Sequence, residues 1–490
     1  MKSFETILKW LVVASSLIFI GVSFYVTMSR ITYPFELEWM EGGSVEHLDR
    51  IMKGEEIYTP PSLEYIPYIY TPFFYYAAVP IAQITGISLL PLRIVSLVST
   101  ILIFLLIYLY VKRETESHYY GFIAVGMFAA TFSLGGAWFD LARVDMLFVL
   151  FALATVYIIR FYNSPIYLII AGLLAGCSFL TKQTALVMLA PLGLYLLIFE
   201  RRNSLYFILV FAIIAIGSTI YYTLSTDGWY YFWNFTLPAD HRWLPKFFIL
   251  FWTYDLIKPL SIAILFSIGM YYFLFKENRK GFYFYSAIFA GAALTSWLSR
   301  LHYGGHMNVL IPVYLFLTMI GIIGFSMLRK KINNESVNTG YAQHVLILVS
   351  IALLFQFATL IYSPRHQIPS KEEEQAGWEL VERMKSTDGD VFIPGNIYFA
   401  RLAGKKPFTH ALLIWDLMQS TTKYGKEIKD ELDSALKNHK FSLIVDYTQM
   451  RYAELEKYYQ FAGSVFSDDE IFWMRAGFTT RPERYFLPKK

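Results

Sequence analysis

Eleven apolar stretches punctuate the chain, at about residues 8–28, 92–111, 119–138, 146–162, 165–181, 183–199, 205–224, 248–275, 281–299, 305–328 and 344–362. Each offers close to the ~20 apolar residues that carry a helix across ~30 Å of hydrocarbon. The run 165–199 is too long for one crossing, because at ~1.5 Å per residue it would extend ~52 Å. Its polar interruption, Thr181-Lys182-Gln183, is read as a hairpin turn, since a Lys left in hydrocarbon is costly. A further run, Pro72 to Gly86, is shorter and interrupted by Pro80 and Gln83. From Ser363 the pattern becomes charged and mixed. Amphipathic periodicity predicts helices over 372–384 and 422–438, and short apolar runs at 390–394 and 441–447 predict buried strands. The expected fold is a polytopic α-helical membrane protein with about 11 transmembrane helices over 1–363, followed by a small soluble α/β domain over 364–490.

Charge sets the topology. If 72–86 lies in the interface without crossing, Lys2/Lys9, Lys112/Arg113, Arg160, Arg201/Arg202, Lys276/Arg279/Lys280 and Arg329/Lys330/Lys331 all fall on one side, as the positive-inside rule requires. The N-terminus is then cytoplasmic, and the C-terminal domain extracytoplasmic, in a multi-pass protein of the cell membrane. The outer loops are 29–91, 137–145, 181–183, 225–247, 300–306 and everything after 363. Composition agrees: of 490 residues 56% are hydrophobic, 18% aromatic and 16% charged, against about 25% charged in a soluble domain. The net charge of +4 is small for this length and gives no sign of a nucleic-acid partner. Cys177 is the single cysteine, so neither a disulfide framework nor a thiolate metal site is expected. The first apolar segment lacks a small-residue cleavage motif and is expected to stay as an anchor.

The candidate chemistry collects on the outer side. Phe35-Glu36-Leu37-Glu38-Trp39-Met40-Glu41-Gly42-Gly43-Ser44 crowds three carboxylates immediately after the first span. An attacking hydroxyl needs a positioned base, and Glu38 and Glu41, three apart, would project from one side of a helical turn. Gly42-Gly43 allows close backbone approach before an amphipathic helix, about Ser44 to Lys53, expected to lie on the bilayer. In the second outer loop Arg143 and Asp145 either pair with each other or serve a reaction centre and an anion; Asp140 is a weaker third candidate. Lys182 is the strongest anion ligand, a cation held at membrane depth. The aromatics 229–235 and Asp240-His241-Arg242-Trp243 suit an interfacial belt or sugar stacking, with Arg242 on phosphate. Tyr70, Trp233, His241, His302 and His306 are candidate sugar or acceptor contacts. His302 and His306 have a metal-binding spacing on a helix, but Gly304-Gly305 between them argues against helix and so against a metal. A transporter would place polar residues near the bilayer midplane, where these spans carry almost none.

These segments, taken together, resemble the GT-C glycosyltransferases, and within them family 39 and its bacterial relatives, which include protein O-mannosyltransferases and lipid A aminoarabinose transferases. The resemblance rests on Glu38/Glu41, the helix to Lys53-Gly54, Ile57-Tyr58, Tyr70-Thr71-Pro72, Gly86, Arg93, Ala142-Arg143-Val144-Asp145 and Phe179-Leu180-Thr181-Lys182-Gln183, and covers roughly residues 5–325. The family's Asp-Glu pair is replaced here by Glu-Trp-Met-Glu. Counting back from Gly54 slightly favours Glu41 as the base, with Glu38 the other choice. The resemblance implies a polyprenyl-phosphate-sugar donor and inverting attack by a hydroxyl of a protein, lipid or glycan. The departing phosphate would be held by Lys182 with Arg242 or Arg143. It leaves a divalent metal open, since the more distant oligosaccharyltransferases use one, and Asp145 with Glu38 or Glu41 would be its ligands. A polysaccharide ligase or polymerase with a pyrophosphate-linked donor needs the same cations and is the alternative.

Overall fold

The computed structural model describes residues 2–335, 339–447, 454–468 and 471–490. Each apolar stretch of the sequence forms a helix: α1 (Lys2–Arg30), α4 (Leu89–Thr115), α5 (His118–Ala130), α6 (Asp145–Phe161), α7 (Pro165–Thr181), α8 (Ala185–Phe199), α9 (Arg201–Ser225), and the helices Lys258–Glu277, Arg279–Leu301, Ile311–Glu335 and Thr339–Ala358. Between α1 and α4 lie two shorter helices, α2 (Glu41–Lys53) and α3 (Phe73–Thr85). Among the described residues five segments are long and apolar enough to cross a membrane: Ser3–Arg30, Leu89–Thr115, Asn203–Ser225, Phe247–Glu277 and Met307–Asn333. The last is almost wholly buried among its neighbours, which explains an apolar sequence with no polar face. At 13 residues, α3 extends only about 20 Å, too short to cross alone.

Two helices depart from the sequence reading, each for a local reason. The stretch 119–138 is helical only to Ala130, and the chain then winds through turns to Asp145, with Gly136 and Ala137 at positive φ. Such irregular backbone survives in an apolar setting only if its carbonyls find donors. Ser96 and Thr100 hydroxyls donate to the Leu141 and Phe139 carbonyls, both at 2.6 Å, and Arg30 Nη2 donates to Ala137 at 2.7 Å. In the stretch 248–275, residues Phe251–Ile257 form π-helical turns and Leu260 leaves the helical region. Pro259 lacks the N–H that would continue the ladder. Gln356 fills the break, donating to the Pro259 carbonyl and accepting from Ile262 and Ala263 N–H.

The basic loops meet at one end of the bundle. Arg329 pairs with Glu5, Arg160 with Glu114, Lys280 with Glu200 and Lys331 with Glu277, and Lys330 donates to the Thr115 carbonyl. The opposite end carries the loop 31–72 and the C-terminal region. That region holds a four-stranded sheet of order β1-β2-β4-β3. β1 (Asp390–Phe392) runs parallel to β2 (Phe441–Asp446), while β4 (Arg484–Pro488) is antiparallel to both β2 and β3 (Tyr459–Ser464). The parallel β1–β2 pair needs a crossover, supplied by the helices Ala411–Gln419 and Lys423–Lys437.

The sheet's apolar core continues into the first loop. Phe35, Trp39, Tyr58, Tyr68 and Trp233 share one cluster with Phe392, Phe399, Phe441 and Phe486, and Phe35 stacks on Phe399 with centroids 4.8 Å apart. α2, expected to lie on the bilayer, is instead covered by protein: Val45 and Leu48 join the core of the helical bundle, while Glu46 and Asp49 are paired with Arg401 of the C-terminal region.

Candidate active site

The first loop is built around bare backbone. A Cβ on Gly43 would lie 2.0 Å from the Tyr68 hydroxyl oxygen, and one on Gly42 would lie 2.2 Å from Glu36 Oε1. No side chain fits at either position, so the turn closes onto the Tyr68 ring, whose hydroxyl donates to the Met40 carbonyl at 2.6 Å. His410 fixes the middle of the loop. Its Nδ1 accepts the Leu412 N–H, so its Nε2 carries the proton and donates to the Trp39 carbonyl at 3.0 Å. Burial holds this imidazole well below its ordinary value, at about 3, and so neutral.

The three carboxylates then part company. Glu41 is fully buried and saturated. Oε1 accepts Arg93 Nε at 3.0 Å and the Ala142 N–H at 2.7 Å; Oε2 accepts Arg93 Nη2 and the Leu37 N–H, both at 2.7 Å. Burial alone would raise its pKa, but the Arg93 ion pair and the two backbone donors outweigh it and hold the carboxyl below its usual range. Four accepted bonds fill a carboxylate's four lone-pair sites, leaving none for a substrate. Glu36 is also buried, against the Tyr398 N–H and the Gly42 backbone, and burial raises its pKa.

Glu38 lines a cavity of about 760 Å³. Its nearest cation is Arg143, with Nη1 3.5 Å from Oε2, and Oε2 accepts no hydrogen bond. Burial pushes the carboxyl up to about 7, with Arg143 pulling it down and the Glu41 charge pushing it further up. The C-terminal region backs it. Arg475 and Ala476 N–H groups bond the Leu37 carbonyl at 2.9 and 3.1 Å, and Gly477 follows at φ +75°, where a Cβ would lie 2.6 Å from Glu38 Cγ.

Lys182, Arg143 and Tyr70 share that cavity with Glu38. Lys182 Nζ donates to Asp145 Oδ1 at 2.7 Å, and Asp145 is oriented by Trp138 Nε1 at 2.9 Å and Asn308 Nδ2 at 3.2 Å. Arg143 Nη2 donates to the Tyr70 hydroxyl at 3.1 Å, and Lys182 Nζ sits 5.6 Å from the Tyr70 ring centroid. Arg143 does not pair with Asp145; it turns to Glu38, and Lys182 takes Asp145. Asp140 is committed elsewhere, clasped by Arg30 with Nε 2.8 Å from Oδ2.

The remaining sequence candidates divide. His241, His302 and His306 all line the cavity, the last two on a non-helical turn after Leu301. Burial lowers the pKa of each. Trp233 is not on the cavity: it is fully buried and its Nε1 donates to the Thr59 carbonyl at 2.9 Å. Arg242 borders a small adjoining pocket with Asp416 and Tyr303, and its carbonyl accepts the Tyr303 N–H at 2.9 Å. Trp138, Asn308, Gly477 and Asp416 carry no motif in the sequence. Arg93 stood in a family-like segment, without a signal for its partner.

A divalent metal does not fit the carboxylates as arranged. Glu38 faces Arg143, Glu41 is saturated by Arg93, and Asp145 is neutralised by Lys182. Among the described residues no three His, Cys, Asp or Glu side chains come together as a metal site.

The family described as dolichyl-phosphate-mannose-protein mannosyltransferase matches residues 70–224. No curated protein matches the chain. Among solved structures, ArnT from Cupriavidus metallidurans in the apo state superposes with a TM-score of 0.61 at 11% identity, covering 96% of this chain and 97% of that one. The same protein bound to undecaprenyl phosphate gives 0.59 at 11% identity, with the same coverage. The archaeal oligosaccharyltransferase AglB from Archaeoglobus fulgidus, in complex with an inhibitory peptide and a dolichol-phosphate, gives 0.56 at 12% identity over 92% of this chain and 73% of that one. At such identities the likeness is one of fold. With the family match it bears out the resemblance seen in the sequence: the chain has the architecture of the GT-C glycosyltransferases.

Proposed function

We propose that this chain transfers a monosaccharide from a polyprenyl-phosphate donor to an acceptor hydroxyl on the extracytoplasmic face, with Glu38 as the base. The observation that carries this reading is the contrast between the two first-loop glutamates. Glu41 is saturated and low in pKa, whereas Glu38 faces the cavity with an unbonded oxygen and a carboxyl near 7. A base works best when its pKa lies near the working pH.

In the proposed reaction the acceptor oxygen forms a bond to the anomeric carbon from the face opposite the leaving group. The bond from that carbon to the phosphate oxygen breaks, and polyprenyl phosphate departs with the electron pair. Glu38 takes the hydroxyl proton. Lys182 spends one of its three N–H donors on Asp145, which leaves two for phosphate oxygens. Arg143 Nη1 has no hydrogen-bond partner in the structure and offers a further donor. Asp145 holds the ammonium in place, and the neighbouring arginine cannot lose its charge.

The test is turnover by reconstituted full-length protein. Consumption of a polyprenyl-monophosphate-linked monosaccharide with release of polyprenyl phosphate is expected. Consumption of a pyrophosphate-linked oligosaccharide alone would make the chain a ligase or polymerase and overturn the donor assignment. The orientation is tested separately, in a chain with Cys177 replaced by Ala. A cysteine at Glu64 should react with an impermeant maleimide from outside, and one at Glu116 should not.

A further inference from the structure

The cavity holds a second polar group that the proposed transfer chemistry does not use. The helix Ala411–Gln419 brings Trp415 and Asp416 to its wall, facing His241, His302 and Tyr303. Asp416 is buried yet makes no close hydrogen bond, its nearest partner being His241 Nε2 at 3.7 Å. His241 Nε2 and His302 Nδ1 are buried nitrogens with no hydrogen-bond partner, and the two rings lie 6.1 Å apart. Trp415 is 41% exposed and meets the Tyr303 ring edge-on at 5.9 Å. Buried polar atoms left unpaired are costly, and their concentration on one cavity wall marks a place where a ligand supplies the missing partners.

We propose that this wall is an acceptor subsite for a neutral sugar ring, so that the acceptor hydroxyl belongs to a glycan. The proposal rests on the transferase reading for the word acceptor and on its own geometry for the word sugar. A pyranose presents a C–H face that packs on an aromatic ring, and hydroxyls around its rim that both donate and accept. Trp415 supplies the exposed ring. The Asp416 carboxylate accepts two hydroxyl protons, and a neutral imidazole accepts at one nitrogen while donating at the other. A peptide bound by strand addition would need a row of backbone N–H and C=O partners on a free strand edge; Trp415, Asp416, His241 and His302 offer side-chain groups instead. At about 760 Å³ the cavity is near the upper end of the range of small-molecule pockets, ~300–1,000 Å³, which suits a donor headgroup and an acceptor ring together.

The experiment is saturation-transfer NMR on the full chain in nanodiscs free of glycosidic detergent, without donor. The probes are methyl glycosides of neutral mono- and disaccharides and, separately, blocked tripeptides containing Ser or Thr. Ring protons of at least one glycoside are expected to saturate. Trp415→Ala and Asp416→Asn should each weaken that binding at least tenfold, and Trp415→Phe should restore most of it. Trp415 is partly exposed, so its variants are expected to fold, and a melting curve checks this. Binding of the tripeptides and of no glycoside overturns the proposal in favour of a peptide acceptor. Wild-type protein that saturates no glycoside at millimolar concentration also overturns it, as do glycoside affinities unchanged in both variants. Donor consumption is measured independently, so failure of transfer and failure of this subsite are read in different assays.

Discussion

Arg93 and Glu41 form a two-pronged ion pair, Nε to Oε1 at 3.0 Å and Nη2 to Oε2 at 2.7 Å, with both side chains fully buried. Arg93 also donates to the carbonyls of Tyr33 and Phe35, both at 2.7 Å. One guanidinium therefore ties α4 to the whole first loop, and Glu41 is the counter-charge that makes its burial tolerable. Removing one partner of such a pair leaves an uncompensated charge in a dry place, at a cost of about 3–5 kcal/mol. Glu41→Gln and Arg93→Leu should each lower the thermal unfolding temperature and the yield of folded protein. The double change should recover part of the loss. A Glu41→Gln protein that melts like wild type while losing transfer would return the base to Glu41.

Glu38 is expected to behave oppositely. Its carboxyl must be ionised to accept a proton, and burial has raised it to about 7. The rate should therefore climb with pH between about 6 and 8 and level off above. Glu38→Gln should fold and bind donor, lose about 10²–10⁴-fold in rate, and show a flat profile. Because Arg143 pulls the Glu38 value down, Arg143→Gln should move the midpoint of any remaining activity upward. A Glu38→Gln enzyme with near wild-type turnover would rule out this carboxylate as the base.

The apolar helices were legible because most are continuous apolar runs bounded by polar or charged residues, and the placing of Arg160, Lys280 and Arg329 at one end followed from the positive-inside rule once 72–86 was taken not to cross. The strands over 390–392 and 441–446 were legible as short apolar runs. The division of labour between Glu38 and Glu41 was not. They sit three residues apart on one turn, and three of the four bonds that saturate Glu41 come from Arg93 and Ala142, 52 and 101 positions away. Asp145 gave the same difficulty: its neighbour Arg143 looked like its partner, but Lys182, 37 positions on, takes it. Trp233 sat in an aromatic run that suits sugar contact, yet the C-terminal region and the Thr59 carbonyl enclose it. Such pairings are made by the tertiary packing of helices and loops, and local pattern carries no trace of them.

The Lys182–Asp145 pair permits a separation of structural from functional loss. Lys182→Ala should raise the donor KM at least tenfold and also destabilise the protein by roughly 3 kcal/mol, because Asp145 is left buried and unneutralised. Adding Asp145→Asn should restore part of the stability, since it removes the unpaired charge while its one oxygen still accepts from either Trp138 or Asn308, which bond different oxygens of the aspartate, but it should not restore donor use. Lys182→Arg should keep part of the donor affinity, because charge matters more than shape at a single phosphate contact. Donor KM and melting temperature, measured on all three proteins, check this. Full donor use by Lys182→Ala would leave the lysine with a structural role only.

Gly477 brings the C-terminal region against the reacting group, and a single methyl group tests that contact. Gly477 has φ +75° and lies against Glu38, where a Cβ would come within 2.6 Å of Cγ and 2.9 Å of Oε1. Those distances are too short to persist, so Gly477→Ala must push the glutamate away from its place beside Arg143 or shift the segment that follows Arg475. Gly404 supplies the control. Its φ is +67° and nothing lies within 4 Å of a Cβ built there. An alanine at either position pays the same left-handed backbone strain, about 1–2 kcal/mol, but only the one at 477 meets Glu38. Gly477→Ala should cut the turnover number at least tenfold with donor KM little changed, and Gly404→Ala should keep wild-type turnover with a similar fall in melting temperature. Equal activity in the two variants would mean that Glu38 does not depend on the C-terminal region for its position.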